Sequence, residues 1–111
     1  MGSDRGVEKS GDEMVEVLAA LANAHRLRML GLLQSSRSYV SQIARDVGLS
    51  RPLVHMHLQK LEAAGLIEGT LEVSEDGKAM KYFDVTPFSI RLTPRSIAAI
   101  AATITNQGDP E

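Results

Sequence analysis

The chain contains no cysteine. Disulfides, thiolate metal sites and thiol nucleophiles are therefore excluded together. Tryptophan is also absent, and aromatic residues make up only 4% of the chain. That is too few to build a base-stacking surface for single-stranded nucleic acid. No apolar run approaches the ~18 residues that a membrane span needs. The opening MGSDRGVEKSGDE lacks the apolar middle of a secretion signal. Three histidines are the only strong transition-metal ligands left. There is no glycine-rich phosphate loop, no nucleophile–base pair and no carboxylate cluster, so no enzyme and no cofactor are expected. A cytoplasmic or nucleoid-associated protein without membrane contact is the default.

What is present suits one small domain: 111 residues, 43% hydrophobic and 23% charged. The net charge of −2 argues against nucleic acid until its distribution is read. Between His25 and Lys60 stand Arg26, Arg28, Arg37, Arg45, Arg51 and Lys60 against the single acid Asp46. A basic middle in an acidic chain can turn one face to phosphates and keep the rest repelled from them. A solvated helical face is the plainer alternative.

Residues 1–11 are polar and expected to be a disordered tail; the folded domain is expected over 12–105, and 106–111 is a polar C-terminal tail. Ser10 and Glu13 have capping-box spacing. Met14, Val17, Leu18 and Leu21 then fall at helical spacing and predict a helix over 12–22. Val15, Ala19 and Ala22 add a second apolar stripe, one more than a monomer edge needs. Asn23 is expected to cap a helix over 24–34 with Leu27, Leu30 and Leu33 inward. After a loop, Ser38 is expected to cap a short helix carrying Val40, Ile43, Ala44 and Val47, ended by Gly48. Ser50 caps the next helix, Pro52 sits in its first turn, and Val54, Leu58 and Leu61 face inward until Gly65. From Leu66 the period shortens towards a strand, and Asp76-Gly77 marks a hairpin turn. Met80–Val85 returns as a strand, and Thr93-Pro94 opens a final helix with Ile97, Ile100, Ala101 and Ile104 on one stripe.

Short helix, glycine turn and polar-faced helix make a helix-turn-helix, and the following hairpin makes a wing. The expected fold is mainly α with a small β-hairpin wing: a winged helix-turn-helix of five helices and a two- to three-stranded antiparallel sheet. The segment from Leu21 to Leu30, LANAHRLRML, and the segment from Gln42 to Ile67, QIARDVGLSRPLVHMHLQKLEAAGLI, resemble the arsenic-repressor-like (ArsR) winged-helix family, with Gly77-Lys78 and Tyr82-Phe83 matching its wing. The resemblance covers roughly residues 12–105. It implies a prokaryotic homodimer on duplex DNA, with the first and last helices as the interface. The stretch Val85–Pro94 is longer than the compact family pattern, which makes an archaeal branch one candidate. Two departures stand out. Where metal-sensing members carry a Cys-x-Cys pair, this chain has Tyr39 and Ser41, and residues 94–105 contain none of the His and carboxylates that other members use. The scaffold is implied and both familiar metal sites are withheld, so no metal site is expected.

On the helix after Gly48, the half opposite Val54, Leu58 and Leu61 carries Pro52, His55, Met56, Gln59 and Lys60. Arg51 and Gln59 are the best base readers, because arginine pairs bidentately with guanine and glutamine with adenine. Arg45, Ser50 and Lys60 suit phosphates, with the helix N-terminus assisting. Met56 and Leu53 suit thymine methyls, and Lys78 at the wing tip suits the backbone or minor groove. His55 and His57 diverge by about 200° on a helix and cannot share a metal. His57 is expected to pack inward, His55 to touch DNA, and His25 to be structural. Met14, Val15, Leu18, Ile97, Ile100, Ala101 and Ile104 are the expected dimer interface. A transcriptional regulator, a repressor by expectation, is the leading reading. A protein-interaction winged helix and a non-specific architectural DNA protein are the alternatives. The inducing signal is open, except that a thiol redox input is excluded.

Overall fold

The computed structural model describes residues 9–105. Most of the expected N-terminal tail, residues 1–8, and the tail at 106–111 lie outside the described residues. The elements are α1 (Gly11–Leu21), α2 (Ala24–Ser35), α3 (Val40–Val47), α4 (Arg51–Ala63), β1 (Ile67–Val73), β2 (Ala79–Val85) and α5 (Pro94–Ala101). Among the described residues no helix is long and apolar enough to cross a membrane.

Local chemistry sets the boundaries. Ser10 and Glu13 form a reciprocal capping box on α1, and the Asn23 side chain accepts the Arg26 N–H at the start of α2. Gly48 ends α3 at φ 73°, a left-handed backbone that only glycine adopts cheaply, and its N–H reaches the Ala44 carbonyl. The Ser50 side chain starts α4 three residues later. At the far end Gly65 donates to the Glu62 carbonyl and Leu66 to the Leu61 carbonyl. That pair of bonds turns the chain straight into β1.

The core lies where α1, α2, α3 and α4 meet the inner end of the hairpin. Val17, Met29, Ile43, Val54, Leu58, Leu61, Leu66 and Ile67 are its fully buried large side chains. Each contributes about 1.5–3 kcal/mol by leaving water. Strands β1 and β2 pair antiparallel from Ile67↔Val85 to Val73↔Ala79. Their inner end is buried, while Leu71 and Val73 near the tip stand in solvent.

Two expectations need correction. Ser38 does not cap α3; Tyr39 holds that position without a side-chain bond. Instead Ser38 exchanges both backbone hydrogen bonds with Phe83, at 3.2 and 2.8 Å, adding a one-residue third edge to the two-stranded sheet. Ser38 is buried there, and the ladder claims its backbone. On α2 the inward set is Met29, Leu30 and Leu33, whereas Leu27 is 53% exposed. Apolar residues surround α2, so its own spacing does not select the inner face; the packing of Met29 against the core does.

Candidate nucleic-acid interface

Helices α3 and α4 cross through Ala44, buried and small, and the Gly48 turn places the start of α4 at the surface. Val54, Leu58 and Leu61 are fully buried, so the opposite side of α4 is fixed outward. Arg51, Pro52, His55, Met56, Gln59 and Lys60 all lie on that exposed side, with Leu53 beside them. Ser50 and Arg45 are exposed at the adjoining turn and on α3. Gln42 orients two neighbours at once: its carbonyl accepts from Arg45 at 2.7 Å and its amide donates to Asp46 at 3.0 Å. The one acid of the basic stretch is thereby engaged on its own helix, and the Arg45 guanidinium is held in place.

The back of α4 is held by His57, which is 5% exposed. Its Nδ1 lies 2.9 Å from Arg26 Nη1, and Arg26 Nε donates to the Ala20 carbonyl at 2.7 Å. Arginine has no acceptor, so Nδ1 carries the lone pair and the ring proton sits on Nε2. Burial pushes the His57 pKa down, and the charges of Arg26, His25 and Lys60 push it further. The ring of His25 lies 5.7 Å from that of His57. One arginine from α2 thus links the last turn of α1 to α4. Arg26 had been counted with the outward basic face; it is buried instead.

Arg37 also leaves that face. It makes a two-pronged bond to Glu72 on β1, at 2.6 and 2.9 Å, and lies over the Tyr82 ring at 4.2 Å. Tyr39 packs edge-on against the same ring. This clasp fixes the wing against the start of α3, and the arginine pulls the Glu72 carboxyl below its usual pKa. Sequence spacing carries no signal for a contact between residues 37 and 72. Arg37 stays exposed but engaged, and Arg28, Arg45, Arg51 and Lys60 remain as the exposed basic residues of the middle stretch with no carboxylate partner among the described residues.

At the wing tip Lys78 is exposed. The Asp76 carboxylate bonds the Ser74 hydroxyl and the Lys78 backbone N–H, and those bonds lower its pKa. It is thus turned into the loop. Lys81 reaches back to Glu62 at 3.7 Å and lies over the Phe83 ring. Gly69 makes room for it, since a Cβ there would collide with Lys81 Cε.

Of the expected dimer residues, Met14, Val15 and Leu18 lie on α1 and Ile97, Ile100 and Ala101 on α5; the final helix ends at Ala101, so Ile104, expected on its stripe, lies in the segment beyond it. Met14 and Leu18 are half-buried, Val15 is exposed, Ile100 is half-buried, and Ile97, Ala101 and Ile104 are exposed. Helix α5 has no buried residue. It rests on α1 through Gly11, where a Cβ would collide with the Ile100 carbonyl and the Ile104 side chain. Among the described residues no group of three His, Asp or Glu side chains comes together as a metal site.

Residues 23–69 match the family model described as bacterial regulatory protein, arsR family. An uncharacterized HTH-type transcriptional regulator of Methanocaldococcus jannaschii is 34% identical over 76 residues, spanning 68% of this chain and 79% of that relative. The chain belongs to the ArsR family of transcriptional regulators. Solved structures agree on the fold. The homodimeric winged helix-turn-helix DNA-binding domain of a possible ArsR-family regulator from Mycobacterium bovis superposes with a TM-score of 0.60 at 27% identity, covering 82% of this chain and 73% of that one. An ArsR-like regulator from Rhodococcus sp. does so with a TM-score of 0.58 at 24% identity, covering 83% and 76%. The ArsR-family chain therefore carries a winged helix-turn-helix fold for DNA binding, and its role is regulatory rather than catalytic.

Proposed function

We propose that the protein is a homodimeric, cytoplasmic repressor that recognises a specific duplex operator with α4. The observation that carries this reading is the division of α4 into a fully buried apolar stripe and an exposed half bearing Arg51, His55, Gln59 and Lys60. Arg51 and Gln59 read guanine and adenine edges in the major groove. Met56 and Leu53 contact thymine methyls, and Pro52 and His55 line the same groove. Ser50, Arg45 and Lys60 hold phosphates, and Lys78 holds the backbone from the wing. Residues 12–105 act as one domain whose two terminal helices form the dimer. Helix α5 supports that assignment, because Ile97 is 51% exposed on a helix that its own chain does not bury, and Ile104, just beyond that helix, is 42% exposed. The homodimeric relative from Mycobacterium bovis agrees with it.

Selection of bound duplexes from a random pool tests the proposal. It should enrich a palindrome whose half-sites lie about one helical turn apart. Binding without enrichment would favour an architectural DNA protein. No duplex affinity at low salt would favour a protein-interaction module.

A further inference from the structure

We propose that the cavity enclosed by α1, α5 and the linker between β2 and α5 binds a small organic carboxylate with an apolar body. The cavity measures about 600 Å³, within the ~300–1,000 Å³ usual for small-molecule sites. Met14, Leu66 and Ile100 give it apolar walls, Lys9 and Arg91 bring positive charge, and among the described residues no Asp or Glu lines it.

Apart from the exposed Ser89, its hydroxyls are already committed. Thr86 donates to the Gly65 carbonyl at 2.8 Å. Thr103 donates to the Ile100 carbonyl and accepts the Gly11 N–H. Ser96 closes the cap of α5 and donates to the Arg91 carbonyl. The two cationic side chains differ: among the described residues neither Lys9 nor Arg91 forms an ion pair. Two cations beside an apolar wall, with no competing acid among the described lining residues, suit a ligand with a negative head and an apolar body. A guanidinium meets a carboxylate with two parallel bonds, and the apolar body replaces water along Met14, Leu66 and Ile100. A neutral apolar molecule would cover the cations without compensating them. Lys9 leads into α1 and Arg91 lies just before α5, so a bound carboxylate bridges the approaches to both helices of the proposed dimer.

Isothermal titration of the full-length chain with sodium octanoate, without DNA, tests the site independently of the operator reading. We expect saturable binding at one site per chain with a dissociation constant of about 0.1–1 mM. 1-Octanol should bind at least about tenfold more weakly, and Arg91→Glu should weaken octanoate by about tenfold or more. Arg91→Lys should retain most of the affinity, and Lys9→Glu repeats the charge test on a residue outside the helices. Amide NMR spectra of each variant confirm that the fold is kept. Equal binding of octanol and octanoate, or unchanged affinity in both charge-reversed variants, would overturn the proposal. Failure of the wild-type chain to saturate would overturn it too, as would binding confined to an Ile97→Glu monomer, which would make the second copy the occupant.

Discussion

Helices α4 and α5 are both amphipathic, yet the fold treats them differently. On α4 the apolar stripe of Val54, Leu58 and Leu61 is fully buried, and the outer half is largely polar and basic, with Leu53 and Met56 among its exposed residues. On α5 nothing is buried, and the apolar residues Ile97 and Ala101 face solvent. The first helix is completed by its own chain, which leaves a free face suited to phosphates and base edges. The second meets α1 at the close approach of Gly11 and through hydrogen bonds of Thr103 and Thr105 just beyond its end, and its free face is the apolar one. On the proposed reading the face left over assigns each helix its partner: α4 offers chemistry to DNA, and α5 offers area to a second copy.

The sharpest way to break this contrast is to damage each buried or exposed stripe in turn. Leu58→Ala, on α4, should cost about 2–5 kcal/mol of folding stability in urea unfolding, because it hollows the core. Ile97→Glu, on α5, should leave the chain folded but raise its dimer dissociation constant by about tenfold or more, since a buried Ile contributes about 1.5–3 kcal/mol. Sedimentation equilibrium measures this. A variant as dimeric as the wild type would remove α5 from the interface. Lys78→Ala should weaken operator and scrambled duplexes alike and lower the salt slope by about one unit.

The smallest expected effect concerns the back of α4. His57 is held neutral in the fold, with its pKa below the ordinary 6.5. The unfolded chain therefore binds a proton first as pH falls. Its contribution to stability is present above 6.5, is lost as pH falls towards the folded-state pKa, and changes no further below it. His57→Gln, which can still accept from Arg26, should remove this part of the pH dependence. Urea unfolding of both proteins between neutral and mildly acidic pH gives the comparison. Parallel curves would show that His57 does not titrate between the two states.

Most of the fold was legible because its signals are local. Ser10 with Glu13, Asn23, Ser50 and Thr93 cap the helices they precede, and Gly48 and Gly65 end the two central ones in left-handed backbone. The outward set on α4 followed from the spacing of Val54, Leu58 and Leu61. Contacts between residues distant in sequence were not legible. Ser38 looked like a cap because hydroxyls usually serve there, but pairing with Phe83 prevailed. Arg26 looked like surface charge until the Ala20 carbonyl and His57 claimed its donors. Arg37 is exposed as expected, yet Glu72 and Tyr82 occupy it. In each case a partner brought in by folding changed what the side chain could do.

The claim that α4 reads base sequence meets its most direct test at Arg51. Fluorescence anisotropy of the wild type and Arg51→Ala would be recorded on the selected operator and on a scrambled duplex across a salt series. Arg51→Ala should lose about 1–3 kcal/mol on the operator and much less on the scrambled duplex, so that the preference between them narrows. Equal losses on both duplexes, with the preference intact, would reduce Arg51 to a phosphate contact and contradict the account.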